Sequence, residues 1–117
     1  MTENTTLLYR PVGPEELALI EASGWRAFPP RLDWQPIFYP VMNEAYAIEI
    51  ASNWNVKESG SGFVTRFAVH TDYLTRFEVQ NVGGFDHNEL WVPAEELEEF
   101  NRHIVGLIEV TQSFYAS

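Results

Sequence analysis

Apolar positions along the chain switch between a period near two and a period near 3.6, and glycine or proline marks most of the switches. Thr6 to Arg10 reads as a short strand ended by Pro11. Gly13-Pro14-Glu15-Glu16 opens a helix, with proline at its first position and acids in its first turn, where the helix dipole favours them. Leu17, Ala18 and Ile20 supply an apolar stripe, and Gly24 stops the helix. Trp25 to Gln35, rich in proline and aromatic residues, reads as a loop, and Pro36 to Tyr39 as a short strand. Asn43 caps a second helix running to about Trp54, in which Ala47, Ile50, Ala51 and Trp54 predict one buried face. Lys57 to Gly62 reads as a flexible surface loop.

Phe63 to His70 alternates, with Phe63, Thr65, Phe67 and Val69 on one face. Arg76 to Val82 reads as a further strand, broken at Gly83-Gly84 by a bulge or turn. Leu90 to Val92 is short and apolar, and Pro93 begins a small helix that turns Leu97 and Phe100 inward. Leu107 to Phe114 closes the chain as a strand with Ile108, Val110 and Phe114 on one side. Six strands and two or three short helices predict a single α+β domain over residues 1–117, with a mostly antiparallel sheet.

Composition narrows the function. The 117 residues suit one domain, and 45% hydrophobic residues are enough to build a core despite a formal net charge of -10. The chain has no cysteine, which excludes disulfides, thiolate metal sites and cysteine nucleophiles. No apolar run approaches the roughly 20 residues of a membrane span, and Met1 to Thr6 lacks the pattern of a signal peptide, so a cytoplasmic location is the expectation. Seven basic residues against 17 acidic ones are scattered rather than striped, which disfavours nucleic acid and anionic membranes as partners.

Chemistry rests on a few positions. The chain has no phosphate-cradling glycine loop, no HExxH and no GxSxG. His70-x-Asp72 and His87-x-Glu89 each offer two metal ligands, short of the three or more that a site needs, and no metal is expected. His103 reads as a solvated cation at a helix end. Glu89 opens an apolar strand after the polar run Asp86-His87-Asn88; it is either a carboxylate set in a cleft or a solvated one. Arg10, at the end of the first strand, can grip a phosphate or form a surface ion pair. Trp25, Phe28, Trp34, Phe38 and Tyr39 are mostly core, with one or two available to stack on a flat ring.

Leu8-Tyr9-Arg10, then Pro14-x-Glu16-Leu17, then Ser23-Gly24 resembles the opening of the cholera- and pertussis-type ADP-ribosyltransferases. Ile37-Phe38-Tyr39-Pro40 and the alanine-bearing helix after it resemble that family's second strand and helix. His87-Asn88-Glu89 resembles its catalytic-glutamate strand. Tyr39-Pro40-Val41 stand where the toxins have Ser-Thr-Ser, nearer to the diphtheria and poly-ADP-ribose branch, and His87 stands where Glu or Gln is common. The whole chain also resembles small bacterial proteins labelled "ADP-ribosylation/crystallin J1".

The resemblance implies a split sheet and NAD as substrate. It implies Arg10 on the diphosphate, Phe38 or Tyr39 against nicotinamide, Glu89 as the catalytic carboxylate and His87 orienting an acceptor or relaying a proton. The implied function is NAD-dependent mono-ADP-ribosyl transfer or NAD cleavage. The alternatives are a catalytically inactive domain of the same fold that binds a nucleotide or a basic protein partner, and a structural or dimeric domain with no ligand.

Overall fold

The structure is a computed structural model that describes residues 4–32, 34–82 and 87–116. Its elements run β1 (Thr5–Val12), α1 (Pro14–Ala22), β2 (Ile37–Phe38), α2 (Glu44–Ile50), α3 (Val56–Ser59), β3 (Ser61–His70), α4 (Thr71–Leu74), β4 (Val79–Asn81), β5 (Asn88–Leu90), β6 (Val92–Pro93), α5 (Leu97–Arg102) and β7 (Ile104–Tyr115). A π-turn, Ala51–Asn55, joins α2 to α3, and a 3₁₀ turn, Ala94–Glu96, leads into α5. All strand pairs are antiparallel, in the order β1-β3-β7 with two-stranded pairs β2-β6 and β4-β5. The α+β expectation therefore holds, with more and shorter elements than the sequence pattern suggests.

Alternation along β3 decides the two faces of the main sheet. Phe63, Phe67 and Val69 join Leu8 and Val12 of β1 in a core completed by Ile20, Phe28, Phe38 and Phe100. Phe28 lies 5.0 Å from Phe38 and 4.8 Å from Phe67 between ring centroids, in tilted and edge-on contacts that suit the ring quadrupoles. Val64, on the other face, packs with Val41 and with Ala47 and Ala51 of the long helix. The irregular segment 25–35 is pinned to the main core by Phe28, whose backbone exchanges two 3.0 Å hydrogen bonds with the Asn101 amide.

Several expectations are corrected. Pro11 does not end β1, which continues to Val12 opposite Phe63. Tyr9 turns its N–H and C=O away from β3, toward Val41, so the missing N–H of Pro11 falls on that same side and the β3 ladder loses nothing. Residues 57–62 are not a flexible loop. The helix continues to Ser59, Gly60 stops it in the left-handed region at φ 83°, and β3 begins at once. Asn43 does cap α2, accepting from Tyr46 N–H at 2.8 Å. Trp54, however, is 62% exposed, because the wide turn closed by Val56 N–H on the Ala51 carbonyl breaks the helical phase.

The strand expected over 76–82 shrinks to Val79–Asn81. The amides of Arg76 and Phe77 still bond back to Tyr73 and Leu74, which α4 buries. Gly83-Gly84 and Asp86 lie outside the described residues. In β7, register shifts opposite Val64/Thr65 and Arg66/Ala68 break the expected stripe. Ile108 is buried and donates its N–H to Trp25 at 2.7 Å, Phe114 packs on the second cluster, and Val110 is exposed. Among the described residues no helix is long and apolar enough to cross a membrane.

Gly62 is where the helix meets the sheet. A Cβ there would collide with the Ala51 carbonyl oxygen and lie 2.8 Å from Asn55 Cβ. Gly62→Ala is expected to destabilise the fold by about 2 kcal/mol, the usual cost of forcing atoms into a packed interior. Urea unfolding measures it, and a change within about 0.5 kcal/mol of zero would show that the helix slides freely.

Candidate functional site

Residues 37–42 and 88–93 form one antiparallel ribbon with a single register. Ile37 faces Pro93, Phe38 faces Val92, Val41 faces Glu89, and Leu90 and Met42 donate to Pro40 and Asn88. Tyr39 therefore falls opposite Trp91, and their rings meet edge-on at 6.2 Å. Alternation sends Phe38, Leu90 and Val92 into the core and leaves Tyr39, Val41, Glu89 and Trp91 on the other side of the ribbon. These four residues line a cleft of about 540 Å³, within the usual range for small-molecule sites. The π-turn supplies Trp54 and Asn55 to the opposite side, and α1 supplies Gly13 and Glu16.

Arginines form the charged end. Arg10 binds Glu16 through two parallel contacts, Nε to Oε2 at 2.7 Å and Nη2 to Oε1 at 2.9 Å, and its Nη1 reaches the Tyr39 carbonyl at 3.5 Å. Thr65 donates to the Arg10 carbonyl at 2.8 Å and holds the strand beneath it. The Phe38 ring lies under both Arg10 and Arg31, whose Cζ atoms stand 4.8 and 5.9 Å from its centroid. Burial, and then the neighbouring Arg10, press the Arg31 pKa below the ordinary arginine value.

At the other end Glu89 is 8% exposed, with each oxygen held by one donor. Trp91 Nε1 donates to Oε1 at 2.8 Å and Tyr46 Oη to Oε2 at 3.2 Å. The carboxylate is thus oriented before any ligand arrives, the condition for stabilising a developing positive charge. His87 lies behind Tyr46, stacked at 4.3 Å and 13°, with Nε2 3.0 Å from Glu49 Oε2.

Of the expected site residues, Arg10, Tyr39 and Glu89 come together in this cleft. Phe38 does not offer a face to a ligand. Its ring is fully buried, and its contact is with the arginines above it. His87 does not line the cleft and supports Tyr46 instead. Among the described residues no three His, Asp or Glu side chains group around a metal position.

Sequence reasoning missed Glu16, Arg31, Tyr46, Trp91 and Asn55. Glu16 had a signal, because a strand–Pro–Gly–helix turn folds the first-turn acid back toward the strand's last cation. Arg31 had none, since its place depends on how an irregular segment packs. No protein-family model matches the chain, and no curated protein matches it.

The Tyr46 phenol is pushed up to about 12, first by burial and then by the charge and hydrogen bond of Glu89. Unfolded, it ionises near 10.0. In that interval the unfolded chain sheds a proton that the folded chain keeps. This contribution to stability is complete below pH 10 and is lost as pH rises through about 12. Tyr73, raised by burial and its bond to Glu96, adds to the same loss. Tyr46→Phe is expected to lose less stability than the parent between about pH 10 and 12 in urea titrations. Equal slopes would remove the raised pKa of Tyr46.

Proposed function

We propose that the cleft binds NAD and that this is an ADP-ribosyltransferase-like domain, acting on the nicotinamide–ribose bond. The observation that carries the reading is that Arg10, Tyr39 and Glu89, from three separate segments, line one cleft. In the proposed step the ribose C1′–nitrogen bond breaks and its electron pair leaves with nicotinamide, neutralising the ring cation. The positive charge passes to an oxocarbenium-like ribose, beside which Glu89 stands. A hydroxyl oxygen of an acceptor, or of water, bonds to C1′ and gives its proton to solvent water. Arg10 holds the diphosphate, Tyr39 and Trp91 flank the nicotinamide, and Tyr46 and His87 keep Glu89 in place.

A second reading is dinucleotide binding without turnover. It is favoured by the Glu16 carboxylate already seated on Arg10, which a diphosphate must displace.

Titration with NAD followed by an assay of released nicotinamide separates the two. Release supports the first reading, binding without release supports the second, and no binding at millimolar NAD removes both. Glu89→Gln is expected to cut release about 100-fold or more while thermal unfolding stays cooperative, as when an electrostatic contact to a transition state is lost. An unchanged rate would take Glu89 out of the mechanism.

A further inference from the structure

Among the described residues Arg31 is a mostly buried cation without a full counter-charge. Its side chain is 9% exposed, and the Glu16 oxygen near its Nη1 is 4.0 Å away, beyond hydrogen-bond reach. That carboxylate already gives both oxygens to Arg10. Arg31 Nε is buried with no hydrogen-bond partner among the described residues. A guanidinium keeps its proton in proteins, so a real positive charge stands here out of water, which is costly unless something pairs with it. The other buried side-chain atom without a partner among the described residues is Asn55 Oδ1, an acceptor on a residue that lines the same cleft.

The surroundings say what would pair with it. A second cavity, about 390 Å³, meets the 540 Å³ cleft at Gly13, Glu16, Arg31, Trp54 and Asn55. Tyr39 and Trp91 wall the first chamber, and Trp54, Leu19 and Leu32 line the second. At their junction stand the Arg31 guanidinium and the start of α1, where Gly13 supplies no side-chain cap, with Arg10 beside them in the first chamber. An anion at that junction would carry a ring-bearing group on either side. The two-pronged hold of Arg10 on Glu16 is a geometry that a phosphate takes equally well.

We propose that Arg31, Arg10 and the first turn of α1 form a subsite for the diphosphate of a nucleotide, which Glu16 fills as an internal stand-in while the cleft is empty. The inference rests on the nucleotide-cleft reading above but does not need turnover. Glu16 swings out, and Arg31 Nη1, which faces it, takes a phosphate oxygen in its place. The ligand is therefore selected for its diphosphate as well as its rings.

Isothermal titration at fixed ionic strength with pyrophosphate, ADP and adenosine tests this on the parent chain, Arg31→Gln and Glu16→Gln, with thermal unfolding of each. Pyrophosphate and ADP are expected to bind, with adenosine at least about tenfold weaker than ADP. Arg31→Gln should weaken ADP about tenfold or more, the size of one charge-assisted contact. Glu16→Gln should tighten ADP several-fold, because it removes the competing charge. A merely structural Arg10–Glu16 pair predicts the opposite sign.

Equal binding of ADP and adenosine, an unchanged Arg31→Gln, or no pyrophosphate or ADP binding at millimolar concentration would overturn the subsite. The parent-chain panel decides even if Glu16→Gln does not fold. Arg31-dependent ADP binding without nicotinamide release keeps the subsite and removes the catalysis. Nicotinamide release with a KM indifferent to Arg31→Gln keeps the catalysis and overturns the subsite.

Discussion

Four backbone hydrogen bonds around Val41 hold the site together. Val41 exchanges N–H and C=O with Tyr9 at 2.7 and 3.0 Å, while Met42 and Leu90 pair with Asn88 and Pro40 at 2.9 Å. This joint splices the three-stranded sheet to the ribbon that carries Tyr39, Glu89 and Trp91. On the β1 side it is one residue long. The next position that could extend it is Pro11, opposite Tyr39, and Pro11 has no N–H to give. Pairing stops there, the strands part, and Arg10, Pro11 and Tyr39 become lining of the cleft. One missing hydrogen thus ends the joint on the side of the cleft.

Magnitudes distinguish the two arginines. Arg10 sits over an aromatic ring and shares two short contacts with a carboxylate, so its desolvation is largely offset. Arg31 has the same ring at greater distance, no carboxylate among the described residues in hydrogen-bond reach, and a like charge beside it. A cation–π contact contributes about 0.5–2 kcal/mol, against several for desolvating an ion. Arg31 is therefore the less well compensated of the two. Uncompensated local costs of this kind concentrate at working sites, where a ligand supplies the missing partner.

The sequence carried much of this in local form. The Asn43 cap, the Pro14 start of α1, the Gly24 stop and the alternation from Phe63 to Val69 are short-range effects, and each stands where its residue types dictate. Pro11 was legible only by half. It ends pairing on one side of β1 and not the other, and a single sequence does not say which side has the neighbour. Phe38 and Tyr39 were legible as a strand, but which faced inward depended on the register against Val92 and Trp91. Trp54 was misassigned because nothing in its neighbours announces a π-turn. That turn follows from the close seat of Ala51 on Gly62, a contact eleven residues apart. Arg31, the residue on which the charged end of the cleft turns, was least legible, since no periodicity acts on a proline-rich segment.

The net charge of -10 and a pair of buried arginines answer different questions. Exposed charges are screened over about 8 Å at physiological ionic strength, so the acidic surface acts on whatever approaches from outside. It repels an extended polyanion along its whole length, because only a short stretch could ever reach the arginines. A nucleotide is small enough to leave that outer field. In the proposed site it would meet two guanidiniums in a setting where charge pairs are screened less than at the surface. The acidic surface is therefore compatible with the diphosphate proposed for the cleft. It sharpens the choice in favour of a compact anion that can be wholly surrounded, with its rings between Tyr39, Trp91 and Trp54.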